Sequence, residues 1–496
     1  LGVRNLSAQI EADVLSLGAY EIGGVSTTLL WRDGVLTLDR LRFADLAGAS
    51  GNLAGTLSGS LANLDAQVEG RIESARADGL LSVLSRLSAG HPVVERLRVN
   101  AGAFDGLGLD VELKADEREG ASLRIVGVAG GTRIDLTVGA GDLASILEQP
   151  KILGLRADNA EAWRLMEQAG FGVLPLDELG GAGLNLILTA IGKQDRAVEA
   201  RLSIGDSDVW LGGSAMISAD REVRGEFDVT LKSPDLEPVL LLFGQPVPQA
   251  GIGLPVDFTA RMALTPEAID FADIAGTAAG NAASGSLRFN RRSPGIEAEG
   301  ALKLAQADLG WFGELALGPR DAGIDLDIDG GAWSDTPFLP PSQGAPSFSV
   351  ALEAGRFSLG GAGVAEGFSA NVSVRPGALS MSNVSAGYMG GQLSGEFNLN
   401  NPDGTAYLSG KLRLADADLG QILRATTGTA VASAKAVLEA SIEGTGASPR
   451  ALVAALSGGG ELTLSGLVIE GLNPAALGPI LAEADGAEAA PDAEAV

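Results

Sequence analysis

Few residues in this chain of 496 have the type and spacing to do chemistry. The closest approach is Asp325-Leu-Asp-Ile-Asp-Gly330. Its acids at positions 1, 3 and 5 and its glycine at 6 imitate the start of a calcium loop, in which carboxylates wrap an oxygen-seeking cation. That loop closes with a glutamate at its twelfth position, and here the residue is Thr336. Leu326 and Ile328 alternate with the acids, so the segment reads as a strand with carboxylates toward water. Gly360-Gly-Ala-Gly-Val-Ala-Glu-Gly367 and Gly180-Gly-Ala-Gly183 suggest phosphate loops, but neither gives strand, GxGxxG and helix in order; both read as turns. His91, the single histidine, precedes Pro92 in what reads as a polar surface loop, without the partners that a triad or a metal cluster needs. Asn5-Leu-Ser, Asn371-Val-Ser and Asn383-Val-Ser match the glycosylation triplet, which arises by chance in serine-rich strands. Trp31, Trp163, Trp210, Trp311 and Trp333 share no spacing, which argues against an aromatic platform for carbohydrate. No acid–base, covalent or metal constellation emerges, and the sequence predicts neither an enzyme nor a cofactor.

Composition narrows the alternatives. A formal charge of −28 opposes a nucleic-acid groove, because phosphate binding needs clustered Lys and Arg. The chain has no cysteine, hence neither disulfides nor a thiolate metal site. Aromatics are only 4% and glycines number 70, yet 46% of residues are hydrophobic, so small and aliphatic side chains supply the apolar surface. The densest apolar run, residues 239–243, is far short of the ~18 residues of a membrane-spanning helix. Residue 1 is leucine, from which we expect the numbered chain to start inside a longer protein, with any signal or anchor upstream.

The elements that would position any function repeat. Residues 269–310 recur at 379–420 with one constant offset of 110, and 13 of 44 aligned positions are identical when counted from Glu267 and Gly377. Among them are Gly280/Gly390, Ser284-Gly285/Ser394-Gly395, Gly300/Gly410 and Ala307-Asp-Leu-Gly310/Ala417-Asp-Leu-Gly420. A looser copy occupies residues 43–79, where Phe43-Ala-Asp-Leu-Ala-Gly48 echoes Phe271-Ala-Asp-Ile-Ala-Gly276. Self-similarity at a fixed period means stacked supersecondary units. Within them, runs such as Leu36-Thr-Leu38, Arg201-Leu-Ser-Ile204, Leu302-Lys-Leu304, Leu412-Arg-Leu414 and Leu462-Thr-Leu464 alternate with period two, the mark of a strand with one apolar face. Gly and Asn clusters such as Asn400-Asn-Pro-Asp-Gly404 separate them as turns. Short helices are expected after the strand sets, near residues 76–84, 142–147, 160–166, 234–240, 308–312 and 418–423; an Asp before an apolar turn starts several of them. Trp163 and Trp311 fall in these helices as core anchors.

Over residues 333–481 the chain resembles a known family. The order Trp333-Ser-Asp-Thr-Pro337, Gly390-Gly-Gln-Leu-Ser-Gly395, Leu412-Arg-Leu-Ala-Asp-Ala-Asp418, Gly444-Thr-Gly-Ala-Ser-Pro-Arg-Ala-Leu452 and Leu456-Ser-Gly-Gly-Gly-Glu-Leu-Thr-Leu464 is similar to the C-terminal region of AsmA-like proteins of the Gram-negative envelope, relatives of the TamB and YhdP bridge proteins. The resemblance implies an inner-membrane anchor followed by a periplasmic β-groove, lined by aliphatic side chains, that takes part in lipid transport or outer-membrane maintenance. It implies no catalytic motif.

The expected fold is therefore mainly β: an elongated repeating antiparallel β-groove with short helices at the unit ends. Repeat regions are expected at 1–150 and 151–332, the AsmA-like region at 333–481 and a disordered acidic tail at 482–496. The expected groove lining is Leu36, Leu38, Leu287, Phe289, Leu302, Leu304, Phe397, Leu399, Leu412, Leu414, Leu462 and Leu464. The expected partners are phospholipid, the inner membrane and an outer-membrane or periplasmic protein. A structural solenoid or assembly scaffold is the alternative, distinguished by whether rows such as Leu302/Leu304 and Leu412/Leu414 stay open or close on a second sheet.

Overall fold

The structure, a computed structural model, describes residues 5–18, 20–60, 63–88, 90–218, 222–245, 251–291, 295–317, 335–341 and 346–469. The chain is mainly β and predominantly antiparallel, as the period-two runs predict. Contacts divide it into two units, Leu1–Gln245 with Gly251–Gly280, and Pro246–Ala250 with Asn281–Val496. The acids at 325–329, Trp333 and the acidic tail at 482–496 lie outside the described residues.

The first unit holds fifteen strands among the described residues: β1 (Asn5–Leu17), β2 (Tyr20–Arg32), β3 (Val35–Leu46), β4 (Ala49–Ser60), β5 (Asn63–Ser74), β6 (Leu107–Asp116), β7 (Gly120–Ala129), β8 (Thr132–Ala140), β9 (Ile152–Asn159), β10 (Ala182–Ala190), β11 (Asp195–Ile204), β12 (Ser207–Ile217), β13 (Val223–Ser233), β14 (Val256–Leu264) and β15 (Ala268–Ala278). Each pairs antiparallel with the next. Asp33-Gly34, Ala47-Gly48 and Gly130-Gly131 have positive φ at both positions, the two-residue turn whose twist matches that of the flanking strands. Five helices interrupt the meander: α1 (Ala77–Leu87), α2 (Pro92–Val99), α3 (Ser145–Glu148), α4 (Ala162–Gln168) and α5 (Glu237–Leu242).

The second unit has nine described strands: β16 (Asn281–Asn290), β17 (Glu297–Asp308), β18 (Ser347–Ser358), β19 (Val364–Arg375), β20 (Ala378–Tyr388), β21 (Gly391–Asn400), β22 (Ala406–Asp418), β23 (Ala432–Gly446) and β24 (Ser457–Ile469). All neighbours are antiparallel except β17 and β18, which run parallel. A parallel pair needs a crossover, and helix α6 (Leu309–Leu317) lies in it. Helices α7 (Leu419–Thr427) and α8 (Pro449–Ala454) follow β22 and β23.

The expected helix starts are built as the sequence suggests. Asp418 Oδ1 accepts from the Gly420 N–H at 2.9 Å, Asp308 Oδ1 from the Gly310 N–H at 2.6 Å, and Asp142 Oδ1 from the Ser145 N–H at 2.8 Å. The first N–H of α1 is instead met from a distance in sequence, by Asp105 Oδ1 at 2.9 Å. His91 lies in the short connection between α1 and α2, where the sequence places a loop. It is half-buried and directly precedes α2, with Pro92 at the first helical position, where a missing N–H costs nothing.

The 110-residue repeat also appears in the backbone. Asp273 and Asn383 share a positive φ within their strands, as do Ala279 and Met389 at the strand ends.

Candidate functional site

Antiparallel register brings the apolar positions of successive strands side by side. One row in the first unit crosses every strand from Ala8 through Leu29, Leu38, Gly55, Val68, Leu113, Leu123, Val138, Leu153, Leu188, Val198, Gly213, Phe227 and Met262 to Phe271. None of its members is polar. In the second unit the equivalent row is Leu287, Gly300, Val350, Val372, Met381, Phe397, Gly410, Ile442 and Gly458. In each unit at least one row thus crosses the face without a polar member, while Thr27, Thr132, Asn159 and Arg196 fall on other rows of the same face in the first unit.

Glycine lets neighbouring strands come unusually close on that surface. A Cβ added at Gly55, Gly70, Gly127, Gly213 or Gly276 in the first unit, or at Gly285, Gly300 or Gly395 in the second, would lie 2.0–2.2 Å from a backbone oxygen of the adjoining strand. All eight belong to the apolar rows, so at each the neighbouring strand leans over the apolar side. Strand glycines permit so close an approach of a neighbouring backbone. The repeat identities Gly285/Gly395 are such positions, and across the ladder from them sit Leu302 and Leu412.

The rims are closed and the middle is less so. In β6 the end positions Leu107 and Ala115 are buried while Leu109, Val111 and Leu113 between them are half-buried. At one rim α1 packs Leu81 with Ala101, Leu107 and Ala129. At the other, Ile146 of α3 packs on the row Ala66, Ala115, Ala121 and Ala140. Further along, Leu165 and Met166 of α4 and Leu242 of α5 bury Ala157, Ala182 and Ile204. Trp163 is half-buried against this cluster, with the Arg164 guanidinium 4.5 Å from its ring centre. A buried polar network pins α4: Asn159 Nδ2 donates to Thr132 Oγ1 at 2.7 Å, and Thr132 Oγ1 donates to Gln168 Oε1 at 2.6 Å. Gln168 Nε2 in turn donates to the Ala103 and Ala129 carbonyls at 2.8 and 3.1 Å. Within each unit the described strands meet chiefly their ladder neighbours.

The opposite face is wet and charged. Cross-strand ion pairs such as Arg124–Asp135 at 3.0 Å and Lys303–Glu353 at 3.3 Å, with Arg201–Asp208 and Arg413–Glu439, run across it. Exposed pairs of this kind add little stability, and they keep that face in water.

The twelve positions expected to line a groove fall on the apolar rows with different degrees of cover. Leu36, Leu38, Leu287, Phe289, Leu302, Leu304, Phe397 and Leu412 are half-buried. Leu399 and Leu414 are buried, the latter in a cluster with Ile422 of α7. Leu462 and Leu464 lie on β24, whose residues are all exposed. Sequence reasoning left out Val350, Leu352, Val372, Val374, Leu379 and Met381, which occupy the same rows and are the best-buried part of the second unit. Their alternation in β18–β20 was a readable signal. No cluster of His, Cys, Asp or Glu able to hold a metal occurs among the described residues. No described helix is long and apolar enough to cross a membrane, which leaves strand-based crossing untouched.

No known protein-family profile, curated protein or solved structure matches this chain.

Proposed function

We propose that the apolar faces shield the acyl chains of phospholipid, and that the chain carries or conducts lipid between the inner and outer membranes of a Gram-negative envelope, from the periplasmic side, without performing a reaction. The resemblance of residues 333–481 to AsmA-like proteins supplies the setting. The observation that carries the reading is the mostly half-buried row in the first unit, apolar in all fifteen strands. Leaving a sixteen-carbon chain in water costs on the order of 12 kcal/mol at about 0.8 kcal/mol per methylene, and an apolar face offsets most of that without chemistry. The head group stays in water at the open side. Across adjacent strands the spacing is ~4.8 Å, so four strands span ~15 Å, about the depth of one leaflet's hydrocarbon.

The rival scaffold reading draws on the burial of Val350, Val372 and Met381, which there form a filled core. Native mass spectrometry separates the two. The lipid reading expects phospholipid on the purified chain and its loss in a folded Leu302→Asp, Leu412→Asp variant. A chain that carries no lipid, and takes none from phosphatidylethanolamine–phosphatidylglycerol vesicles, would leave the scaffold.

A further inference from the structure

On the apolar face of the first unit one cation is out of place. Arg196, near the start of β11, is 8% exposed and is the only buried lysine or arginine among the described residues. Register sets it between Ala190 of β10 and Ala215 of β12, on the same side of its strand as Val198, Ala200, Leu202 and Ile204. Its Nη1 donates to the Asp195 carbonyl at 3.0 Å and toward the Gly192 and Lys193 carbonyls at 3.4 Å. No described carboxylate pairs with it, whereas Arg156 and Arg201, on the wet face of β9 and β11, pair with Asp158 and Asp208. Its Nε and Nη2 make no bond to a described residue, yet both keep contact with solvent.

We propose that Arg196 anchors the phosphate of a phospholipid head group, with the acyl chains laid along β10–β12. This rests on the lipid reading above. A guanidinium grips a phosphate through two N–H groups on one edge, and the Nε–Nη2 edge is the one left open. Withdrawing a cation from water at an apolar face is unfavourable. Carbonyls on one nitrogen offset part of that penalty, and an anion on the open edge offsets more. The position suits a head group. The connection beside Arg196, residues 191–194, carries no helix, and Ile191 in it is 63% exposed. Lys193 in that connection and Lys151, whose carbonyl accepts from the Ala190 N–H at 2.7 Å, add exposed positive charge beside Asp195 and Asp142. One step further along the strands the floor turns apolar: Leu188 and Val198, then Leu186, Leu211, Leu184 and Leu202, all half-buried. The far end is shut where α4 and α5 bury Ala182 and Ile204. From Arg196 to Ile204 the strand runs ~27 Å at ~3.4 Å per residue, more than the ~15 Å that one leaflet's hydrocarbon occupies.

The test is isothermal titration calorimetry of the whole chain with three probes: dioctanoylphosphatidylglycerol, dioctanoylglycerol, which lacks the phosphate, and inorganic phosphate. The phosphatidylglycerol is expected to bind about tenfold more tightly than dioctanoylglycerol, the contribution of a charge-assisted pair. Inorganic phosphate, without an acyl chain, should bind far more weakly than the phosphatidylglycerol. Arg196→Met should lower affinity for the phosphatidylglycerol by about tenfold and leave that for dioctanoylglycerol unchanged, so that the two bind alike. Arg196→Lys, which keeps the charge without the fork, should fall between, and serves if Arg196→Met fails to fold. A merely structural arginine would shift both lipids together, and that result would overturn the anchor. So would equal binding of the two lipids by the unaltered chain, which leaves the lipid reading intact. Inorganic phosphate bound as tightly as the phosphatidylglycerol would make this a site for the free anion and overturn the head-group assignment. Failure of both lipids to bind would remove the anchor and the lipid reading together.

Discussion

Alanine at Gly395 is the most direct probe of how closely strands approach one another at glycine. A methyl group there would lie 2.2 Å from the Lys411 carbonyl oxygen and 3.1 Å from the Leu412 Cα. Ordinary contact begins at about 3.4 Å, and the obstacle is backbone, so β22 must move about 1 Å away from β21. Over-packing of this kind costs ~1–3 kcal/mol, and a backbone obstacle puts it at the upper end. Alanine recovers about 0.5–1 kcal/mol by restricting the unfolded chain. The net expectation is a loss of about 2 kcal/mol in the second unit. Gly154, in β9, has nothing within 4 Å of its Cβ position and provides the control. Gly154→Ala should leave stability unchanged or raise it by up to about 1 kcal/mol. Urea denaturation followed by far-ultraviolet circular dichroism reads both. Should Gly395→Ala and Gly154→Ala unfold at the same urea concentration as the parent, the close approach of β22 to Gly395 would be refuted.

Other expectations follow from the same structure. Gln168→Ala should cost about 2–4 kcal/mol in the first unit, because it strips a buried partner from Thr132 and from two buried carbonyls; a shift under 0.5 kcal/mol would show that α4 is held by packing alone. Stability should fall with acid below about pH 4. The Asp142 carboxylate is held below its ordinary range by the Ser145 hydroxyl and N–H, and Glu95 by the Ser85 hydroxyl and Arg98. Carboxylates with depressed folded values contribute stability above their unfolded values and lose it as pH falls through the folded ones; a flat denaturation midpoint from pH 6 to pH 3 would contradict this. His91→Ala should retain full lipid binding in a vesicle-transfer assay, and complete loss in a folded protein would return a polar site to consideration.

Strands, hairpin turns and six helix positions were legible because each rests on local signals: period two, primed turns, and an Asp before an apolar turn. Helices α2 and α8 were not. Pro92 and Pro449 sit at the first helical position, where proline is favoured, and the Ser448 hydroxyl caps α8 by accepting from the Ala451 N–H. The Thr132–Asn159–Gln168 network joins residues 27 and 36 apart in sequence, a distance at which no pattern speaks. The apolar rows themselves were readable, but their cover was not. Leu412 and Leu414 look alike in sequence, yet Leu414 is buried in a cluster with Tyr388, Leu393, Ile422 and Leu438 while Leu412 is left half-open. The glycines were read as punctuation, although several lie within strands where a neighbouring backbone leaves no room for a Cβ.

The lone parallel pair has a consequence for strand parity. In a pure meander direction alternates, so strands five places apart point opposite ways. Yet β17 and β22, five apart, both run toward the same rim, because the β17–β18 pair repeats one direction. Both strands can therefore end in the shared Ala-Asp-Leu-Gly and launch α6 and α7 from the same side of the sheet. An array of this kind grows or shrinks by whole hairpins without disturbing which edge carries its helices. Adding or removing one strand inverts every helix downstream unless a crossover restores the sense. A transplanted repeat must respect that rule of even numbers, or bring its own crossover with it.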